Sequence, residues 1–197
     1  MSNDYYLQLV NHISKHILLS QEEQALVRSS FNLKRLQKRM FLLQEGNICR
    51  FENYVVKGCL HSFTMDSEGN NHTLHFAVDD WWITDFESFQ RGTPASRNIV
   101  ALEDTVLLQI NKADLEHLYR NAPVLNNFFR ILLENGAIAQ DRRVINNISM
   151  KGSERYEWFL KTYPIFSQRI PQKYIASYLG ITPEFLSNIR KERIYKH

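Results

Sequence analysis

A two-domain α+β fold, a β-roll sensor joined to a helical DNA-binding module, is predicted by three features of the sequence. From about Leu33 to Ile110, short β-branched and aromatic runs alternate with turn residues. On either side of that stretch the apolar residues recur every three or four positions, the helical period. Positive charge collects at one end: residues 151–197 hold nine Lys/Arg against four Asp/Glu, while the first 150 residues are slightly acidic. A basic module joined to a near-neutral one is the charge footprint of nucleic-acid binding.

Each element has its own signal. Tyr6, Leu9, Val10, Ile13 and Ile17 predict an opening helix. Ser20 with Glu23 is a capping box that starts a second one through Ala25, Leu26 and Val27. In the β region the turns at Gly46, Gly58 and Gly69 fall 12 and then 11 residues apart, the rhythm of an antiparallel jelly roll or double-stranded β-helix. Residues 65–71 form a hairpin tip. Leu115 and Leu118 mark a short helix before Pro123, which opens a long helix to about Asn147.

The long helix carries two apolar rows, one through Val124, Phe128, Ile131, Asn135, Ile138, Arg142 and Ile145, the other through Leu125, Phe129, Leu132, Gly136 and Ala139. Two rows on one helix of ~36 Å are more than one sheet covers. Either the helix is wholly core, or one row packs on the roll and the other on a second subunit. The second arrangement gives a dimer seam of Phe128, Ile131, Asn135, Ile138 and Ile145. The expected organisation is residues 1–122 as roll, 123–148 as dimerisation helix and 149–197 as DNA-binding domain.

Composition narrows the function classes. At 197 residues, 44% hydrophobic and 23% charged, the chain reads as globular. No apolar run approaches the ~20 residues of a membrane span, and the first residues lack a signal peptide's pattern, so no membrane partner and a cytoplasmic address are expected. Cys49 and Cys59 are too few for a disulfide framework or, alone, for an iron–sulfur cluster.

The stretch Ile170–Lys191 carries most of the function. Pro171 opens a helix whose inner face is Ile175, Ala176 and Leu179, and Gly180 closes it. Thr182 caps a second helix with Pro183 in its first turn, while Leu186 and Ile189 point inward. The small Ala176 lets the two helices cross closely, as in a helix-turn-helix. Glu184, Ser187, Asn188 and Lys191 then occupy the outer face, where side chains of these types read base edges in a major groove. Asn188 suits adenine and Glu184 suits cytosine; Gln172, Lys173, Thr182, Arg190 and Lys191 suit phosphates.

With this motif behind a β-roll and one long helix, the chain resembles the Crp/Fnr family of bacterial transcription regulators over nearly its whole length. Gly58, Gly69, Ala101-Leu102-Glu103-Asp104 and Lys112-x-Asp114-Leu115 carry the rest of the likeness. The resemblance implies a homodimer on a palindromic operator, with RNA polymerase as a further partner. It implies a winged-helix-like domain, but six residues follow Lys191, so the wing is expected to be reduced or absent. Glu184 is kept from the family's recognition pattern, whereas its customary arginine is Asn188 here.

The resemblance also locates a sensor pocket. Family members that bind cyclic nucleotides have a Gly-Glu-Leu triplet for the ribose and an Arg-Ser pair for the phosphate. Here Thr84-Asp85-Phe86 and Ala95-Ser96 stand at those places, with Arg97 two positions on. Ala95 has no charge to offer a phosphate, so cyclic AMP is not expected to bind, leaving an unidentified effector or none. Trp81, Trp82, Phe86 and Phe89 either line that pocket or belong to the core.

Two rivals stand beside the regulator. His61, His72 and His75 on a roll suggest a cupin-like metalloenzyme, but His72 and His75 are three apart and fall on opposite faces of a strand. No catalytic motif is visible, and neither an enzyme nor a metal site is expected. A ligand-free interaction domain is the other rival. The basic cluster Lys34, Arg35, Lys38 and Arg39 reads as a charged strand edge.

Overall fold

In the computed structural model, which describes residues Asp4 to Ile194 with side chains to Glu192, two helices precede a block of eight strands broken by one helix, and six helices follow it. By internal contacts the chain forms two compact units: residues up to Thr64 with Phe76–Asn135, and Met65–His75 with the residues from Gly136 on.

The first unit opens with α1 (Tyr5–Ser14), N-capped by Asp4, and α2 (Gln21–Ser30), where the Ser20–Glu23 capping box forms in both directions. The roll is two antiparallel sheets. One has the order β1 (Asn32–Leu36), β8 (Thr105–Asn111), β3 (Phe51–Lys57), β6 (Trp82–Ile83). The other has β2 (Phe41–Leu43), β7 (Asn98–Ala101), β4 (Leu60–Met65), β5 (Asn71–Ala77). A six-residue helix, α3 (Phe86–Arg91), interrupts the strands, and α4 (Lys112–Asn121) comes after them. The basic β1 lies at a sheet edge, where charge discourages pairing with another chain.

Successive side chains of β3 point to opposite faces, and both faces are buried. Tyr54 packs against His12 and Trp82, whose rings in turn meet Phe128 in the first turns of α5 (Val124–Ser149). Phe128 of that helix is 1% exposed and packs edge-on against Phe129 and His12. Asn53 faces the other way, accepting a 2.6 Å hydrogen bond from Gln109 and donating to the Phe51 and Ile83 carbonyls.

Glu52, next to it, is buried without a basic partner, and desolvation pushes its carboxyl up to about 7. Between pH 4.5 and 7 the unfolded chain releases this proton while the folded chain keeps it, so folding loses stability as pH rises across that window. Glu52→Gln should therefore match the parent near pH 4.5 and exceed it by about 3 kcal/mol at pH 8 in urea unfolding. Equal stability at both pH values would contradict this.

The second unit holds the hairpin tip, the distal part of α5, and α6 (Gly152–Thr162), α7 (Phe166–Arg169), α8 (Gln172–Leu179) and α9 (Pro183–Ile194). Its core centres on Phe159, whose ring lies 5.7, 5.9 and 5.6 Å from Tyr163, Phe166 and Tyr178. The expected reduction of the C-terminal wing concerns a segment outside the described residues.

Candidate nucleic-acid interface and effector pocket

In the second unit the two helices of the motif form around the anticipated punctuation. Ile175, Ala176 and Leu179 of α8 are buried. Gly180 takes a left-handed φ of 63°, letting the Ile181 N–H reach back to the Ala176 carbonyl at 3.1 Å. Thr182 Oγ1 accepts the Phe185 N–H at 3.1 Å, capping α9, and Leu186 turns inward at 1% exposure. Outward on α9 lies a polar face, where Glu184, Ser187, Asn188, Arg190 and Lys191 are all exposed, with Phe185 exposed beside it at 47%. Thr182 and Lys173 are exposed too. Gln172 differs from the expected phosphate contact, since it is half-buried with its amide oxygen turned inside.

Two arginines outside the motif fix the end of α8. Arg143, on α5, donates to the Tyr178 carbonyl at 3.1 Å and to the Thr73 and Leu74 carbonyls of the hairpin. Its guanidinium also lies 4.1 Å from the Tyr178 ring centre. Arg155 donates to the Leu179 carbonyl at 2.9 Å and to the Met150 carbonyl at 2.7 Å. Cations on the last carbonyls of a helix complement its dipole. Ser177 completes the clasp: its hydroxyl accepts the Thr73 N–H at 2.9 Å and donates to the Asn71 carbonyl at 3.0 Å.

Arg143→Ala should cost about 3 kcal/mol in chemical denaturation, because three carbonyls lose a charged donor at once. Arg143→Lys should recover only part of it, since an ammonium lacks the planar fork. A loss below about 0.5 kcal/mol, on the order of a surface substitution, would contradict the clasp.

In the first unit, Thr84, Asp85, Ser96 and Arg97 converge at the start of α3. Asp85 is 1% exposed, and its carboxylate has several partners. One oxygen caps α3 by accepting the Ser88 N–H at 3.2 Å; the other accepts the Ser96 N–H at 3.1 Å and sits 3.3 Å from Arg97 Nε. The Arg97 contact is an ion pair without good hydrogen-bond alignment. Thr84 Oγ1 donates to the Phe51 carbonyl and lies 3.3 Å from Cys49 Sγ. Ala95 is buried, whereas Phe86 is 46% exposed.

Residues 33–122 match the family model of the cyclic nucleotide-binding domain. That match covers a little less than half of the chain. Its solved structural neighbours share the wider architecture. The c-di-GMP responsive global regulator CLP of Xanthomonas campestris aligns with a TM-score of 0.73 at 12% identity, over 90% of this chain and 93% of that one. FixK2 from Bradyrhizobium japonicum aligns at 0.70 and 16%, over 84% and 85%. The Thermus thermophilus catabolite activator protein aligns at 0.53 and 21%, over 90% and 85%. The fold is that of the Crp/Fnr regulators. No curated protein matches the sequence.

At the position where the family resemblance puts a phosphate's countercharge, Ala95 is buried. The carboxylate that would reach a ribose is engaged by Ser88, Ser96 and Arg97. The histidines are spent elsewhere. His61 is stacked between Phe63 and Phe76 at 5.0 and 5.3 Å. His72 pairs with Asp66 at 2.7 Å, and with the Asn70 N–H this holds the Asp66 carboxyl down at about 2. Among the described residues no three His, Cys, Asp or Glu side chains stand together as a metal site. Both cysteines are buried free thiols.

The seam residues divide. Phe128 belongs to the roll core and is corrected to that role, and Ile131 is half-buried. Asn135, Ile138 and Ile145 are exposed, joined by Leu133, Val144 and Ile148, the last at 82%. No described helix is long and apolar enough to cross a membrane.

Proposed function

We propose that this chain is a sequence-specific DNA-binding transcription regulator that acts as a homodimer on a palindromic operator. The observation that carries this reading is the outer face of α9, where Glu184, Ser187, Asn188 and Lys191 stand exposed on a helix fixed at its start by Thr182. Asn188 and Glu184 read base edges; Thr182, Lys173, Arg190 and Lys191 hold phosphates. The likeness to regulators such as the catabolite activator protein supports the same assignment.

The dimer forms along the outward row of α5 through Ile138 and Ile145. The roll acts as a sensor that does not take cyclic AMP, because the charge at its nucleotide position is a closed Asp85–Arg97 pair. The protein is not an enzyme, works in the cytoplasm, and as an activator would meet RNA polymerase.

The test separates the two kinds of contact. On a selected operator, Asn188→Ala should cost about 1–3 kcal/mol and relax preference at one base position per half-site. Lys191→Ala should weaken binding evenly across sequences and lower the salt slope by about one. If Asn188→Ala leaves every base preference intact, α9 is not the reading helix.

A further inference from the structure

We propose that the roll binds a small organic anion in a cavity beside the expected nucleotide position, with Arg50 as the countercharge. The proposal rests on reading the roll as a sensor and names the chemistry of its effector. The cavity, about 270 Å³, opens between the two sheets beside the β2–β3 connection. None of Thr84, Asp85, Phe86, Ala95, Ser96 or Arg97 lines it.

Its lining has two characters. Leu43 and Ile99, 8% and 0% exposed, supply buried apolar surface, and Phe41 adds an apolar side chain at 44% exposure. Polar groups complete the lining: Asn47 is exposed, and Gln109 is held in place by its 2.6 Å hydrogen bond to Asn53. Arg50 is the one charged side chain in the lining, and it has no carboxylate partner among the described residues. Buried apolar surface with a few polar groups and one free cation suits a ligand with an apolar body and a single anionic head.

Size narrows the class further. At the ~30 Å³ that a water molecule occupies in the liquid, the cavity takes roughly nine non-hydrogen atoms. A monocarboxylate on one ring or a short chain is of that size. The carboxylate would meet Arg50 while the body covers Leu43 and Ile99.

Benzoate, with its neutral isostere benzamide, probes the site. Binding is measured by calorimetric titration of the full-length, DNA-free protein, with thermal unfolding in parallel. Benzoate should bind and raise Tm by about 3 °C when present at about ten times its dissociation constant. In Arg50→Gln its affinity should fall at least ~10-fold, the worth of a charge-assisted contact, and benzamide should bind the parent no better than benzoate binds the variant. Three results would overturn the proposal: no benzoate binding to the parent, equal binding to Arg50→Gln, or equal binding of benzamide. Arg50 is exposed, so a folding defect is not expected; an unchanged Tm of the ligand-free variant verifies that. Because no DNA enters the titration, its failure leaves the operator reading standing, and failure to select an operator leaves the cavity standing.

Discussion

Ile138→Glu is expected to turn the protein into a monomer and to weaken operator binding more than ~100-fold, because a dimer's second half-site contact is gained at high effective concentration. The expectation comes from α5, whose 26 residues span ~39 Å and leave Leu133, Ile138, Val144, Ile145 and Ile148 more than half exposed. Apolar side chains gathered on one helix in this way are the surface on which the proposed dimer would form. Charge at the middle of that row must be desolvated on docking, with no partner to compensate it. Light scattering reads the association state and anisotropy on operator DNA reads affinity. A protein that stays dimeric places the seam elsewhere. Phe128→Glu would not serve as the same test, since Phe128 is buried in the roll and its replacement would unfold the domain.

Gly58→Ala is expected to cost about 3 kcal/mol or more. Gly58 has φ of 118°, a conformation L-residues rarely adopt. A Cβ there would sit 2.8 Å from the Thr105 Cα and closer still to its hydroxyl, and the backbone atom cannot swing aside as a side-chain tip can. The Gly58 N–H also donates to Asp79 at 2.7 Å, so the turn cannot relax without losing that bond. Urea unfolding measures the change; a loss under about 1 kcal/mol would mean that the β3–β4 turn is more compliant than its geometry implies.

Much of this architecture is legible in the sequence because local chemistry fixes it. Ser20 and Glu23 satisfy each other's helix end, Gly180 supplies a left-handed turn, and Thr182 caps α9; each needs only neighbours within a few residues. The apolar rows of α5 are equally readable, but periodicity does not say what covers each row. Phe128 and Ile138 share one row, yet one lies in the core and the other is exposed. The arginine clasp is hidden for a different reason. Arg143 reaches carbonyls about 70 residues before it in the chain, and main-chain acceptors leave no mark in a sequence.

The pocket has the same limit. Ala95 advertises a missing phosphate charge, and the sequence reads that directly. The pairing of Asp85 with Arg97 depends on how α3 turns back on β7, and the cavity at Arg50 depends on how two sheets face each other. Helical position alone turns Gln172 outward, but its amide oxygen is inside. Such placements are set by tertiary packing, which overrides the local pattern.

The most direct measurement of the central claim is selection of the full-length protein on a random-sequence DNA pool at physiological salt, where non-specific phosphate contacts are weakened. A dimeric regulator predicts enrichment of a palindrome whose half-sites lie about one helical turn apart. A pool that stays unenriched, with and without benzoate and a cell extract as sources of effector, would contradict the assignment of α9 as a DNA-reading helix.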